Sequence, residues 1–314
     1  MITLALTLFM TFALAATVKA EGGNPIIVCT TSAVGSIVRE YLKGSVAVVV
    51  LVQPGLCPAD FDMKPSDIYA VSNAKILFKQ NIPGEFWLQG LLEAAGNPNL
   101  IQVTIPGEYN TPQGAKNYIR WVGGNLSQIL NINLAAKTSA MLADMDEVSN
   151  WMASRGQALQ VSSVKVICMK WLKTFVESAG FKVVATYNPP ETLSAGDITD
   201  LIKTAQREKV ALIVDNLQID IEFGRGIASQ VGAEHVLLTN FPGAIPGTGN
   251  LTQMFRYNAE QLFNATGTWR STANLKADME KLYGQVSTYQ ITTSLAVIVA
   301  VVEAVWLFIR RKRK

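Results

Sequence analysis

Short apolar runs separated by helical stretches occur four times, a long segment free of Gly and Pro intervenes, and the same alternation then resumes. That order constrains the fold more than any other feature of the chain. Residues 26–31 form the first run, bounded by Asn24 and Pro25, and a continuous apolar run suits a strand buried on both faces of a parallel sheet. Residues 46–52, 75–78 and 100–104 supply three more strands. Ser32 is placed to cap the first helix and Gly44 to close it, while Pro65 occupies an N1 position with Ser66 and Asp67 in the first turn. Residues 113–156 read as helix with a break at 131–133, and strands return at 164–168, 181–186, 210–215 and 235–239, with helices over 170–179, 195–209 and 219–231. Strand–helix alternation of this kind gives parallel sheets with right-handed crossovers. The expected fold class is α/β: two doubly wound lobes joined by a long helix, with a C-terminal transmembrane helix. The expected boundaries are an N-terminal lobe at 21–133, a connecting helix at 134–159 and a C-terminal lobe at 160–267.

The two ends set the expected compartment. Residues 1–16 are almost wholly apolar, and Val18-Lys19-Ala20 has the small residues a signal peptidase needs, so residues 1–20 read as a secretory signal that lacks a basic n-region. Residues 291–309 form an apolar run with one ionisable group, Glu303. As a helix it is about 29 Å long, the thickness of a bilayer core. Five basic residues, 310–314, follow at once as a cytoplasmic tail, so the body is expected outside the cell membrane with a single pass and a linker at 268–290. Glu303 is costly at membrane depth and points to a partner helix or an interface.

Charge excludes one class of partner. Of 27 Lys and Arg, five lie in the tail and one is Lys19, leaving 21 against 24 Asp and Glu. A body near −3 without a basic patch gives no nucleic-acid interface. Three Asn-x-Ser/Thr acceptors, at Asn125, Asn250 and Asn264, suit a secreted body. An odd cysteine count, Cys29, Cys57 and Cys168, allows at most one disulfide. Catalysis is not expected: the single His, His235, starts a strand, and no nucleophile–His–acid set or paired carboxylates are evident. The loop 242–249 is Gly-rich but lacks the Lys-Ser/Thr ending of a phosphate loop. Trp121, Trp151 and Trp171 read as packing residues, and Asp215 as either a strand-end cap or a cleft residue.

Residues 26–44 (IIVCTTSAVGSIVREYLKG), 51–68 (LVQPGLCPADFDMKPSDI) and 73–97 (NAKILFKQNIPGEFWLQGLLEAAGN) resemble the first lobe of the zinc/manganese-type metal receptors of ABC importers. Residues 164–187, 208–218 and 249–265, the last containing MFRYN, resemble its second lobe in order and spacing. The resemblance implies a receptor that holds one transition metal between its lobes, usually with three His and one carboxylate, and hands it to an ABC permease. The positions that match those ligands carry Ala59, Gly107, Met169 and Asn240. None is a usual ligand, so ordinary zinc or manganese coordination is not expected.

Sulfur stands near the substituted positions: Cys57 two residues before Ala59, and Cys168 beside Met169. With Asn240 these form the candidate metal set, and sulfur donors suit a soft ion such as copper better than zinc or manganese. A Cys57–Cys168 disulfide and inert packing are the competing readings. Thr30, Thr31, Ala59, Asp60 and Gly107 are the expected cleft lining, and Asn240, Thr30, Thr31 and Asp60 suit an organic or oxyanionic solute equally well. The expected function is a membrane-anchored extracytoplasmic receptor of an ABC importer, of the metal-uptake type with an altered ligand site. An interaction or adhesion protein that keeps the fold, and a thiol-based soft-metal chaperone, are the alternatives.

Overall fold

The computed structural model describes residues 25–80, 82 and 84–312; residues 1–20, expected to be a secretory signal, and residues 313–314 lie outside them. The first lobe contains β1 (Ile26–Cys29), α1 (Ser32–Leu42), β2 (Ala47–Val50), α2 (Pro65–Ser72), β3 (Ala74–Lys79), α3 (Leu88–Ala95), β4 (Ile101–Thr104) and α4 (Pro112–Leu130). Then α5 (Ala135–Ala158) leads to β5 (Lys165–Met169), α6 (Lys173–Ser178), β6 (Lys182–Tyr187), α7 (Ala195–Glu208), β7 (Leu212–Asn216), α8 (Glu222–Val231), β8 (Glu234–Leu238) and α9 (Leu251–Lys312). The strands form two four-stranded parallel sheets, ordered β2-β1-β3-β4 and β6-β5-β7-β8. The two doubly wound lobes expected from the alternation are present, each with the same strand order.

Local chemistry explains most element ends. Pro65 opens α2, where its missing N–H costs nothing, and Asp67 accepts from the Lys64 N–H at 2.9 Å. Asn131, at φ 52°, ends α4 in the left-handed region that Asn tolerates, which separates α4 from α5. Two expectations at α1 need correction. Thr31, not Ser32, holds the N-cap position, and its hydroxyl bonds Gln80 rather than a helix amide. Lys43, itself left-handed at φ 44°, closes the helix ahead of Gly44.

One apolar core runs through both lobes. It includes Tyr41, Tyr118 and Leu126 of the first, Met145 and Met152 of α5, and Phe175, Leu212 and Phe255 of the second. A second cluster on the other face of the first sheet packs α2 and α3 against Val28 and Leu77. Trp151 packs on Phe263 with ring centroids 5.9 Å apart, whereas Trp121 and Trp171 are exposed rather than packed.

The first turns of α9 belong to the body: Leu251, Phe255, Asn258, Leu262 and Phe263 are buried. Arg270 donates to the Leu159 carbonyl at 2.6 Å, placing a cation at the C-terminal end of α5. Beyond it, residues 271–312 are exposed and helical throughout. Residues 268–290, expected as a linker, are therefore part of a continuous helix whose distal part is long and apolar enough to cross a membrane.

Candidate functional site

In parallel sheets the residues just past the strand C-termini converge on one face. Here the two sheets bring those ends against each other. From the first lobe come Thr30 and Thr31 after β1, the loop holding Pro54 and Cys57 after β2, Gln80 after β3, and Tyr109 and Asn110 after β4. From the second come Met169 and Trp171 after β5, Gln218 after β7, and Thr239, Asn240 and Phe241 after β8.

Direct hydrogen bonds join the lobes. The Tyr109 hydroxyl donates to the Asn240 carbonyl at 2.7 Å, and the Asn110 amide donates to the Trp171 carbonyl at 2.8 Å. Gln218 Nε2 donates to the Pro54 carbonyl and to Thr239 Oγ1, each at 2.9 Å. The Tyr109 and Phe241 rings stack at 6.4 Å. The Tyr118 hydroxyl, bonded to the Gly107 carbonyl at 2.8 Å, supports Tyr109 from below. Burial pushes the Tyr109 phenol far above its ordinary range, so this contact stays uncharged.

Asn258 of α9 fixes the loop after β8. Its amide donates to the Thr239 carbonyl at 2.8 Å, and its carbonyl oxygen accepts from the Thr239 N–H at 3.1 Å. Asn240 is thereby held at the interlobe face. Thr30 Oγ1, Gln80 Nε2, Asn110 Oδ1 and Asn216 Nδ2 are buried polar atoms without a protein partner. Thr30, Gln80 and Asn216 lie at or beside strand C-termini, and Asn110 lies in the loop between β4 and α4. A set of hydroxyl and amide groups supplies hydrogen bonds to a polar guest and little of the ligand strength of imidazole or carboxylate.

The expected sulfur set is spread over distinct environments. Cys168 and Met169 are fully buried, Cys57 is half-buried in the β2–α2 loop, and Asn240 is half-buried. Burial pushes the Cys168 thiol up to about 12, and raises that of Cys57 as well. The Cys57–Cys168 disulfide is not formed: all three cysteines are free, with Cys168 enclosed in β5 beneath α6. Among the described residues no group of three or more His, Cys, Asp or Glu is arranged to hold a metal ion. Thr30 and Thr31 are buried at the face, while Ala59, Asp60 and Gly107 are exposed at its rim. Gln80, Tyr109, Tyr118 and Gln218 were not singled out in the sequence; the signal for Gln80 and Tyr109 was their place just past β3 and β4.

His235, partly buried, and Asp215, fully buried, form a separate pair. His235 Nε2 lies 2.7 Å from Asp215 Oδ2, and the Tyr187 hydroxyl donates to Asp215 Oδ1. Asp215 therefore faces α8 and its neighbouring strands, not the interlobe face. The Gly-rich loop closes on itself, with the Gly243 N–H bonded to the Thr248 carbonyl and Thr248 Oγ1 to the Ile245 carbonyl at 2.6 Å.

Comparison with known proteins places this architecture. The manganese-binding lipoprotein MntA of Halalkalibacterium halodurans is 21% identical over 235 residues, covering 68% of this chain and 78% of that protein. The periplasmic zinc-binding protein TroA of Treponema pallidum superposes with a TM-score of 0.67 at 17% identity, over 78% of this chain and 99% of that one. A crystal structure of ZnuA gives 0.64 at 20% identity, over 78% and 100%. The family model described as ZnuA, zinc-uptake complex component A, periplasmic, matches residues 27–265, and the chain therefore belongs to that family of metal solute-binding proteins.

Proposed function

We propose that this protein is the extracytoplasmic solute receptor of an ABC importer, anchored to its membrane by α9 and of the metal-uptake type with an altered ligand site. The observation that carries the reading is the convergence of both sets of strand C-termini on one polar face, in a chain of this family. The named relatives bind manganese or zinc by their descriptions, and a nickel complex is known for the related FpvC of P. aeruginosa, at 12% identity and a TM-score of 0.66. They support a transition ion as cargo and lend no support to a preference for copper. In this reading Cys57, Met169 and Asn240 are the candidate donors, with the Thr30 hydroxyl and the Gln80 and Asn110 amides as further polar contacts. Cys168, protonated and enclosed, weighs against a chaperone that works through its thiols. The fold acts by binding and release, not by catalysis.

A second reading draws on the bonds between the lobes. Tyr109, Asn110 and Gln218 already tie the two halves together, which suits a protein that keeps the fold and binds a partner on an outer surface. Elemental analysis with native mass spectrometry of the full chain distinguishes the two. One equivalent of a transition ion, lost in Cys57→Ser/Asn240→Ala, supports the receptor. A metal-free chain of unmodified mass that takes up none of manganese, zinc or nickel supports the second reading. Anchoring is tested separately by extraction of membranes at alkaline pH, from which an inserted chain is not released.

A further inference from the structure

The exposed part of α9 carries apolar residues at alternating steps of four and three: Leu275, Met279, Leu282, Val286 and Tyr289. All five are exposed, Leu275 and Leu282 at 63% and 60%, and nothing in the body reaches them. Steps of four and three are the a and d positions of a heptad, the seam along which two helices supercoil left-handedly. A helix that only shielded one face from its own body would bury that face, as residues 251–266 do.

The same register continues into the apolar segment. Its next positions are Thr293, Ala296, Ala300, Glu303 and Leu307. In a bilayer, small residues let helices approach closely, and an ionisable group needs a partner. The single ionisable residue between 291 and 309 thus falls on the seam, three residues after Ala300 and four before Leu307. A water-exposed apolar stripe and an intramembrane stripe of small residues and a carboxyl are separate observations, and they share one register.

We infer that α9 pairs with α9 of a second copy of this chain, in parallel, along the seam from Leu275 to Leu307. A second copy fits for three reasons. The basic residues after the span hold every copy in one sense across the membrane, so identical seams align without a choice of direction. Symmetry sets Glu303 against Glu303, so each copy supplies the polar partner that an ionisable side chain needs at membrane depth. Beside the seam Lys276 and Asp278 stand at the flanking e and g positions with opposite sign, so two copies meet there without net repulsion. The membrane part of this inference rests on the anchoring proposed above; the part from Leu275 to Tyr289 does not, and neither depends on the solute.

The test is cysteine cross-linking of the full chain in lipid nanodiscs, in a Cys57→Ser background where Cys29 and Cys168 are buried. Leu282→Cys and Ala300→Cys lie on the seam, and Ala277→Cys and Val305→Cys lie on the opposite face. Mild oxidation is expected to yield covalent pairs for the two seam variants and none for the other two. Light scattering of the unmodified chain is expected to give the mass of two copies. A mass of one copy, or of three or more, overturns the pairing, as do equal yields at all four positions. A pair at 282 without one at 300 overturns the intramembrane half. The alkaline extraction reads anchoring independently of both, so a failure of anchoring is not mistaken for a failure of pairing.

Discussion

His235 Nε2 sits 2.7 Å from Asp215 Oδ2 across neighbouring strands, and the Asp215 side chain has no exposed surface. The register explains the meeting. Ile213 pairs with His235, and alternate residues of a strand share a face, so Asp215 and His235 project to the same side of the sheet. Gly224 of α8 lies directly above, where a Cβ would overlap the Asp215 carboxyl. His235→Ala leaves one buried carboxyl oxygen without its partner and is expected to cost about 3 kcal/mol, with His235→Gln costing less because a donor is kept. Gly224→Ala is expected to destabilise comparably through overlap. Urea unfolding followed by tryptophan fluorescence measures both; a change below about 0.5 kcal/mol for His235→Ala rejects the pairing as a source of stability.

A second prediction concerns Asn258. Its side-chain amide satisfies both backbone groups of Thr239, at 2.8 and 3.1 Å, inside the core. Asn258→Ala leaves a buried N–H and a buried carbonyl unpaired, and about 2–4 kcal/mol of stability is expected to be lost. Asn258→Asp keeps the acceptor but sets an oxygen against the Thr239 carbonyl and buries a charge, so its cost is expected to be at least as large. Hydrogen exchange at the Thr239 amide is expected to speed up in both variants, more in the alanine variant.

Buried thiols and phenols give a sign to alkaline behaviour. Burial raises Cys168 from 9.0 to about 12 and Cys29 likewise, while Tyr187 rises further through burial and the Asp215 charge. The unfolded chain loses these protons from about pH 9, and the folded chain keeps them to about pH 12. The stabilising difference is fully present below pH 9 and is lost as pH rises toward 12. Cys168→Val is therefore expected to flatten the fall in stability between pH 9 and 12 without changing stability at pH 7 by more than about 1 kcal/mol. In the native protein iodoacetamide at pH 8 is expected to modify Cys57 alone, because only it has solvent access. Equal labelling of Cys168 rejects the burial argument.

Much of the fold was legible because its signals are local. Short apolar-rich runs marked all eight strands, Pro65 marked the start of α2, and the Asn-rich break at 131–133 marked the end of α4. What escaped depends on contacts distant in sequence. Thr31 has the right chemistry for a cap, yet its hydroxyl is drawn to Gln80, 49 residues away. His235 looked like an isolated strand-end residue because its partner lies 20 residues back on the adjacent strand. The linker expected at 268–290 is helical because nothing in that stretch breaks a helix except the lone Gly284, which costs about 1 kcal/mol. At the candidate site, Thr30 and Thr31 follow β1 directly, and Asn240 was named through the family resemblance; the structure puts all three just past strand ends. Gln218 and Tyr109 also stand just past β7 and β4, but nothing local in the sequence marks either as a side chain that bonds Asn240.

The interlobe bonds give the last prediction. Gln218 Nε2 bridges the Pro54 carbonyl of one lobe and Thr239 Oγ1 of the other, and its Oε1 accepts from the Asn240 N–H at 3.4 Å. The Tyr109 hydroxyl holds the carbonyl of the same Asn240. The two side chains thus clamp one residue from opposite lobes. Removing the hydroxyl in Tyr109→Phe takes away one neutral bond, at a cost of about 1–2 kcal/mol, but leaves the ring stacked on Phe241. Gln218→Ala takes away three contacts, among them the side-chain bond to the Pro54 carbonyl. The double variant is expected to loosen the lobes while each sheet stays folded, because neither residue contributes to the strand ladders. Small-angle scattering is expected to show a larger radius of gyration, and exchange at the β2–α2 loop amides is expected to rise with those of β1 and β5 unchanged. An unchanged radius, or faster exchange throughout both sheets, shows that the halves are held instead by the shared apolar core along α5 and α9.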